Sequence, residues 1–170
     1  MTTPVTVVEV NRMDRAMFVD RFGSIYEHNG WVAEQAWENR PFKDREMLAT
    51  AMREVVQSAG REQQLQLLRN HPRLGILAGL TALSSSEQTD AGVRSASEKE
   101  RIELAKLNDV YESKFGFPFV VAVKGLNVRE IIDACRARLE RDADTEFDAG
   151  LNQVFRIAGF RIADAIDAEA

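Results

Sequence analysis

Apolar residues recur every three or four positions along most of this chain, a spacing typical of amphipathic α-helices. The clearest case is DREMLATAMREVVQSAG, residues 44–60, which ends on glycine, a common helix stop. The same spacing recurs in residues 95–115, from Val128 to about Arg141, and in residues 145–166. Because 170 residues suffice for one sizeable core, the chain is predicted to be all-α, a single compact domain (residues 1–170) of about seven or eight helices.

Shorter periodic runs complete the helical prediction. Residues 62–70 form one run, which ends directly before His71. Residues 16–26 and 31–40 are interpreted as two short helices divided by the turn HNG. SSSEQTDAG, residues 84–92, fits either a turn or the start of a helix. The first ten residues or so are expected to be loosely ordered.

FGFPFVVAV, residues 115–123, is apolar, uncharged and interrupted by proline. It lacks a second β-like run to pair with, so residues near 117–123 are predicted to be a buried extended segment outside any sheet. Its simplest interpretation is core. Buried non-helical backbone nevertheless leaves N–H and C=O groups that need partners, and a small polar ligand can supply them.

Composition restricts which binding partners and which cellular compartment are expected for this chain. Twenty-two basic and 27 acidic residues give a net charge of −5, and no basic run suggests nucleic acid or an anionic membrane surface. No apolar stretch approaches the roughly 18 residues of a membrane helix. Cys135 is the only cysteine, which argues against a disulfide framework or zinc. The N-terminus lacks a secretory pattern, so a cytoplasmic protein is expected.

His71 is one of only two histidines and stands directly before Pro72. Proline disfavours helical backbone in the residue before it, so His71 is predicted to leave its helix in an extended conformation. A lone histidine is most often a core or capping residue. A helix C-terminus also favours imidazolium, which suits an acid or base that titrates near neutrality. The other histidine, His28 in YEHNGW, is interpreted as a turn residue.

Two Ser-x-x-Glu patterns predict helix starts. Ser97 and Glu100 are interpreted as a capping box. Ser84 and Glu87 fit the same pattern, but a helix N-terminus also binds anions, so the segment from Ser84 to Gln88 is open to either role or both.

Two arginines lie on the last predicted helix. Arg156 is interpreted as solvated, the usual state of a helical arginine. Arg161 has apolar neighbours, so at least its stem is predicted to be partly covered. A partly buried guanidinium requires a planar anionic partner, and a substrate carboxylate qualifies.

The residues alone allow one His–Glu–Arg constellation without establishing an enzyme. No metal cluster, phosphate loop or cofactor motif accompanies it. A non-catalytic helical domain that binds a ligand or a partner remains the alternative.

Five segments taken together carry a more specific signal. RPF, NHPRL, SSSEQTDAG, LNDVYESKFGFPFVVAV and IAGFRIADAI occur in this order within residues 18–166. They resemble 2-oxo-4-hydroxy-4-carboxy-5-ureidoimidazoline (OHCU) decarboxylases. The resemblance implies an all-α, cofactor-free carboxy-lyase of urate degradation that converts OHCU to (S)-allantoin and CO2. It also implies a homodimer.

The same resemblance assigns roles to single residues. His71 corresponds to the catalytic histidine, and Glu87 and Arg161 complete the polar site. No metal ligand is implied. The implied substrate contacts are Pro72, Ser84, Ser85, Ser86, Gln88, Phe119, Val120, Val121, Ala122 and Val123.

The chain departs from the commoner family pattern at two places near the expected pocket. Arg73 stands where aspartate is commoner, although arginine also occurs at that place in bacterial relatives. The segment from His71 to Ser84 is four residues shorter than in the longer members. Both differences bear on substrate preference, so a decarboxylase of a related ureido-imidazoline is a further alternative.

Overall fold

All regular structure in the described residues is helical. The computed structural model describes residues 3–75 and 82–167, without the side chain of Arg94. Within these ranges the one β feature is an isolated bridge between Val5 and Ile166. Two short 3-10 helices occupy Trp37–Asn39 and Val93–Ser95. The α-helices are α1 (Val7–Arg12), α2 (Arg15–Phe22), α3 (Trp31–Ala36), α4 (Arg45–Ser58), α5 (Arg61–Arg69), α6 (Ala82–Asp90), α7 (Glu98–Phe115), α8 (Val128–Leu139) and α9 (Ala143–Ala165).

These helices confirm the all-α prediction, and α1 is the helix that periodicity did not anticipate. Thr6 caps its first turn, and Glu9 reaches back to the Thr6 N–H in a full capping box. Val7 and Val10 are buried. The N-terminal stretch that was expected to be loosely ordered therefore contains a capped helix with a buried face, and its Thr-x-x-Glu spacing was the available signal.

Helix boundaries follow the capping rules elsewhere as well. Ser97 and Glu100 form the predicted capping box of α7. Asn127 and Glu130 form another at the start of α8. Helix α7 ends at Gly116, whose φ of 78° lies in the left-handed region where glycine carries no steric penalty.

The chain divides into two compact units. The first unit comprises Met1–Leu67 and Phe155–Ala170, and the second unit comprises Leu68–Val154. In the first unit, Phe18 packs against Phe22 and Phe42, with ring centroids 4.9 and 6.0 Å apart. The single domain inferred from chain length stays a prediction.

The second unit is built around Tyr111 of α7. Its ring lies 5.9 Å from that of Phe117 and 5.2 Å from that of Phe119, both in edge-on contacts. Gly150 of α9 permits this packing, since a Cβ there would lie 3.3 Å from side-chain atoms of Phe117 and Leu68. Helix α9 therefore approaches closely where Phe117 is buried.

The segment after α7 confirms the prediction of a buried extended chain. Residues 117–123 form neither helix nor strand. All of them except the half-buried Val121 are buried.

None of the described helices is long and apolar enough to cross a membrane.

Candidate active site

His71 lies in the second unit, just beyond the end of α5. Its backbone N–H donates to the carbonyl of Leu68 at 3.1 Å, which closes the last turn of the helix. Its side chain is buried, with the whole residue 6% exposed, and Pro72 is half-buried. The chain thus leaves the helix at the position that the His-Pro step predicted, and it carries the imidazole into a protein interior.

Helices α6 and α7 fix the backbone that follows His71. Asn108 of α7 donates from Nδ2 to the carbonyl of Leu74 at 3.1 Å. The N–H of Gly75 donates to Oε1 of Gln88, on α6, at 3.0 Å. Gly75 has a φ of +84°, which glycine adopts without strain. Two buried amide side chains therefore hold the adjacent residues Leu74 and Gly75 of this turn.

Arg73, the residue that departs from the commoner pattern, is bound to α7. Its Nε donates to Oε2 of Glu112 at 2.6 Å, and its Nη1 donates to Oδ1 of Asp109 at 2.7 Å. The hydrogen bond that Arg73 donates to Glu112, followed by the one that it donates to Asp109, raises the pKa of the guanidinium above its ordinary value. The charge is thus matched by two carboxylates of one helix. Residues 76–81, which belong to the segment predicted to be shortened, lie outside the described residues.

Of the two roles left open for the segment from Ser84 to Gln88, the capping box of Ser84 and Glu87 is wrong. Helix α6 already begins at Ala82, so Ser84 is an interior residue and Glu87 lies one turn further along. Ser84 and Gln88 are buried, whereas Ser85, Ser86 and Glu87 are half-buried. The serine run is therefore part of a helix face, and Oε1 of Gln88 accepts the hydrogen bond from the backbone N–H of Gly75.

The segment Phe119–Val123 is held at two of its backbone groups. Arg138 of α8 donates from Nη1 to the carbonyl of Val120 at 2.6 Å. The N–H of Ala122 donates to Oε1 of Gln153, on α9, at 3.0 Å. The protein itself thus satisfies some of the backbone groups that were expected to await a ligand.

Arg138 belongs to a buried polar cluster that sequence reasoning missed. Its guanidinium pairs with Glu146, and the Tyr111 hydroxyl donates to the same carboxylate oxygen. The guanidinium also lies 4.7 Å above the ring of Phe119. Burial and the bond to Glu146 raise the pKa of Tyr111 well above its ordinary value. The signal was present, because Arg138 falls on the inward stripe of Ile131 and Cys135 at helical spacing.

Arg161 lies in the first unit and has a protein carboxylate as its partner. Its Nη2 donates to Oε1 of Glu27 at 2.6 Å, and its Nη1 donates to the carbonyl of Ile25 at 3.0 Å. Arg161 is 4% exposed and Glu27 is 2% exposed. The covered stem that the sequence predicted is confirmed, and Arg156 is exposed, as expected. Glu27 was missed. Its φ of 55°, unusual for glutamate, is set by the turn after α2.

Most of the predicted site residues share one unit. His71, Glu87 and the segments 84–88 and 119–123 belong to the second unit, whereas Arg161 belongs to the first. Among the described residues, no group of three or more histidine, cysteine, aspartate or glutamate side chains is placed to hold a metal ion. The second unit therefore contains the predicted histidine, the predicted carboxylate and a stretch of backbone whose groups are only partly bound by the protein.

Known proteins match this chain over nearly its whole length. The model of the family described as OHCU decarboxylase matches residues 11–163. The 2-oxo-4-hydroxy-4-carboxy-5-ureidoimidazoline decarboxylase of Haloferax volcanii is 44% identical over 165 residues, which are 97% of this chain and 98% of that protein. The uric acid degradation bifunctional protein PucL of Bacillus subtilis is 42% identical over 95% of this chain, which spans only 33% of that protein.

Two solved structures share the fold. An (S)-allantoin synthase superposes with a TM-score of 0.80 at 29% identity, over 96% of this chain and 54% of its own. An OHCU decarboxylase solved in the presence of (S)-allantoin has a TM-score of 0.69 at 22% identity, over 89% of this chain and 96% of its own. The second likeness bears on the fold alone.

Proposed function

Because the chain belongs to the OHCU decarboxylase family, we propose that it removes CO2 from OHCU to give (S)-allantoin in urate degradation. The observation that carries this proposal is the family match over residues 11–163, with a relative of that name 44% identical over 97% of the chain. The resemblance found in the sequence at His71, at residues 84–92 and at residues 115–123 leads to the same reaction.

The reaction requires no external electron sink. When the bond between the ring carbon and the carboxylate breaks, CO2 departs and the bonding electron pair stays on the ring. That pair delocalises into the adjacent ring as an enolate-like anion, which then takes up one proton. We therefore propose that the enzyme works without a cofactor and supplies only positioning, hydrogen bonds and proton transfer.

His71 is the proposed acid–base residue. It removes the proton of the ring hydroxyl, or it delivers the proton that completes the product on one face of the ring. The turn after α5 supports this role, because Asn108 and Gln88 fix its backbone and the imidazole is buried. Glu87, in the same unit, is proposed to orient the imidazole.

The other proposed contacts bind and polarise the substrate. Arg161 binds the carboxylate or carbonyl groups of the substrate, and its guanidinium keeps its ion pair with Glu27 at the same time. Pro72, residues 84–88 and the backbone of residues 119–123 line the pocket. Protonation from one side in this pocket makes the product (S) rather than racemic.

A coupled assay tests the function directly. Urate, a urate oxidase and a hydroxyisourate hydrolase generate OHCU in the cuvette, this protein is added, and circular dichroism follows chiral allantoin. We expect rapid growth of the (S) signal together with release of CO2. Slow decay to racemic allantoin at the rate seen without the protein would contradict the proposal.

The resemblance also leads us to propose a homodimer located in the cytoplasm. Light scattering on the purified chain should then give about twice its mass of 19.1 kDa. A mass of a single chain across the working concentration range would contradict the dimer. Recovery in a membrane or secreted fraction would contradict the location.

A further inference from the structure

We propose that Gln153 is a positioning residue for the decarboxylation, acting together with Arg138 on the segment Phe119–Val123. This inference rests on the proposed function and names two residues to which neither the resemblance nor the comparisons give a role. Gln153 and Arg138 bind opposite kinds of backbone group two residues apart in that segment. In doing so they determine which N–H groups are left to face the substrate.

The contacts divide the segment into occupied and unoccupied groups. Arg138 takes the carbonyl of Val120 at 2.6 Å, and Gln153 takes the N–H of Ala122 at 3.0 Å. Within the described part of the chain, the N–H groups of Val121 and Val123 donate no hydrogen bond. Buried backbone donors are nearly always paired, so the N–H of the buried Val123 requires an acceptor from outside the segment, and the N–H of the half-buried Val121 can bind one as well.

The geometry of an extended chain explains the division. Successive peptide groups point to opposite sides, so the carbonyl of Val120 and the N–H of Ala122 face one side together. The N–H groups of Val121 and Val123 then face the other side. Val121, which carries one of these donors, is the one half-buried residue among the otherwise buried residues 117–123.

The two anchors differ in rigidity. Arg138 is 7% exposed and is itself fixed by Glu146, which is fully buried, and by the ring of Phe119. Gln153 is half-buried and holds the segment through a single acceptor oxygen. Removing that oxygen frees one peptide group to rotate while the core cluster stays intact. Gln153 is therefore the residue at which positioning can be separated from stability.

The predicted consequence is a loss in the chemical step. Two parallel N–H donors stabilise the anion that forms as CO2 leaves, and donors aimed at developing charge act mainly on the transition state. Misplacing them through Gln153→Met should lower kcat by about tenfold to a hundredfold, with KM changed by less than about threefold because ground-state binding is affected little.

Three variants form the test. Gln153→Met removes the acceptor at similar volume, and Gln153→Glu keeps an acceptor oxygen. Gln64→Met is the matched control, because Gln64 is also half-buried and its side chain bonds a backbone group, the Val56 carbonyl at 2.9 Å, in the first unit. Each variant is measured for kcat, KM and melting temperature, and for hydrogen exchange of the Ala122 amide.

We expect Gln153→Met to lose kcat and to speed exchange at Ala122, Gln153→Glu to keep at least about a third of kcat, and Gln64→Met to match the wild type. Unchanged kcat in Gln153→Met despite faster exchange would overturn the inference alone. Equal losses in the Met and Glu variants would overturn the acceptor role. A wild-type protein inactive on OHCU would overturn the proposed function and this inference with it.

Discussion

Each compact unit contains a buried arginine–glutamate pair among its described residues, and the two pairs are built alike. In the first unit Arg161 binds Glu27 and the carbonyl of Ile25. In the second unit Arg138 binds Glu146 and the carbonyl of Val120. Each guanidinium thus neutralises a buried carboxylate and also fixes a stretch of irregular backbone.

The pairs differ in what surrounds them. Arg138 is enclosed by the Tyr111 hydroxyl and the Phe119 ring, and the backbone that it holds is part of the candidate site. Arg161 holds the turn after α2. The resemblance singles out Arg161 alone, although both arginines are buried. The comparison teaches that burial and pairing identify arginines that are important for stability. Their role in the chemistry depends on the backbone and the ligand that they contact.

The largest effect is expected at Arg161, where two variants separate its contribution to stability from its proposed contact with the substrate. Arg161→Met leaves the Glu27 charge buried and should cost about 3–5 kcal/mol in free energy of unfolding. Arg161→Met combined with Glu27→Leu removes both charges and should regain most of that loss. If Arg161 contacts the substrate, the double variant stays at least about a hundredfold below wild-type kcat/KM. Urea denaturation and the OHCU assay measure the two effects, and near-normal activity in the double variant would make Arg161 structural only.

The second prediction concerns Arg138. Arg138→Met should also cost about 3–5 kcal/mol in free energy of unfolding, since Glu146 is left buried without its main partner. Cys135 reports on this change, because burial raises the pKa of its thiol to about 12 and keeps it neutral. At pH 8 the thiol should therefore react with a disulfide reagent only when the second unit opens, at least about a hundredfold faster in Arg138→Met.

Arg136→Met is the matched control for that experiment. Arg136 lies on the same helix, but it is exposed and pairs with Glu103 and Asp133 at the surface. In Arg136→Met the reactivity of the Cys135 thiol should stay within about twofold of wild type, since exposed ion pairs contribute little to the free energy of unfolding. Equal acceleration in both variants would show that the buried cluster is not what protects Cys135.

A smaller effect is expected at Arg73. Its side chain is 34% exposed, so its pairs with Asp109 and Glu112 are screened by solvent. Arg73→Met should lower the free energy of unfolding by no more than about 1 kcal/mol. A loss as large as that of Arg138→Met would show that the turn after His71 depends on this pair. Thermal melts of the two variants side by side decide between these outcomes.

The smallest effect is an acid dependence carried by exposed helix caps. Hydrogen bonds from Thr6 and Ser97 lower the pKa values of Glu9 and Glu100 below 4.5. A carboxylate with a lowered folded-state pKa stabilises the fold above its unfolded value, and the contribution disappears as pH falls through the folded pKa. Glu100→Gln should therefore lower the melting temperature slightly at pH 7 and converge with the wild type as pH falls below 4.5, so that its melting temperature falls less steeply in acid. Parallel curves would contradict this.

Local rules predicted most of the helices and the buried extended segment. Apolar spacing identified α4, α7, α8 and α9, and the Ser97 capping box followed directly from its sequence. The same rule failed at Ser84, because α6 starts two residues earlier, at Ala82. A capping pattern indicates where a helix can start, but neighbouring residues with helical propensity can extend the helix past it.

The buried polar partners were beyond reach from the sequence. Glu27 pairs with Arg161 across 134 positions, and Tyr111 meets Glu146 across 35. No local spacing encodes such contacts, since they depend on how distant helices pack. The residues alone singled out His71 and Arg161, and the resemblance gave them roles. Both were silent on Arg138 and Gln153, whose contacts with the backbone of residues 119–123 are visible only in the structure.

The central claim is that His71 carries the decarboxylation of OHCU, and the two histidines of the chain provide a direct test. His71→Ala and His28→Ala are compared with wild type in the coupled assay, with far-ultraviolet circular dichroism to verify folding. His28 is exposed and serves as the control. We predict that His71→Ala loses at least about a hundredfold in the rate of (S)-allantoin formation while His28→Ala keeps the wild-type rate. A folded His71→Ala that forms (S)-allantoin at the wild-type rate would contradict the account.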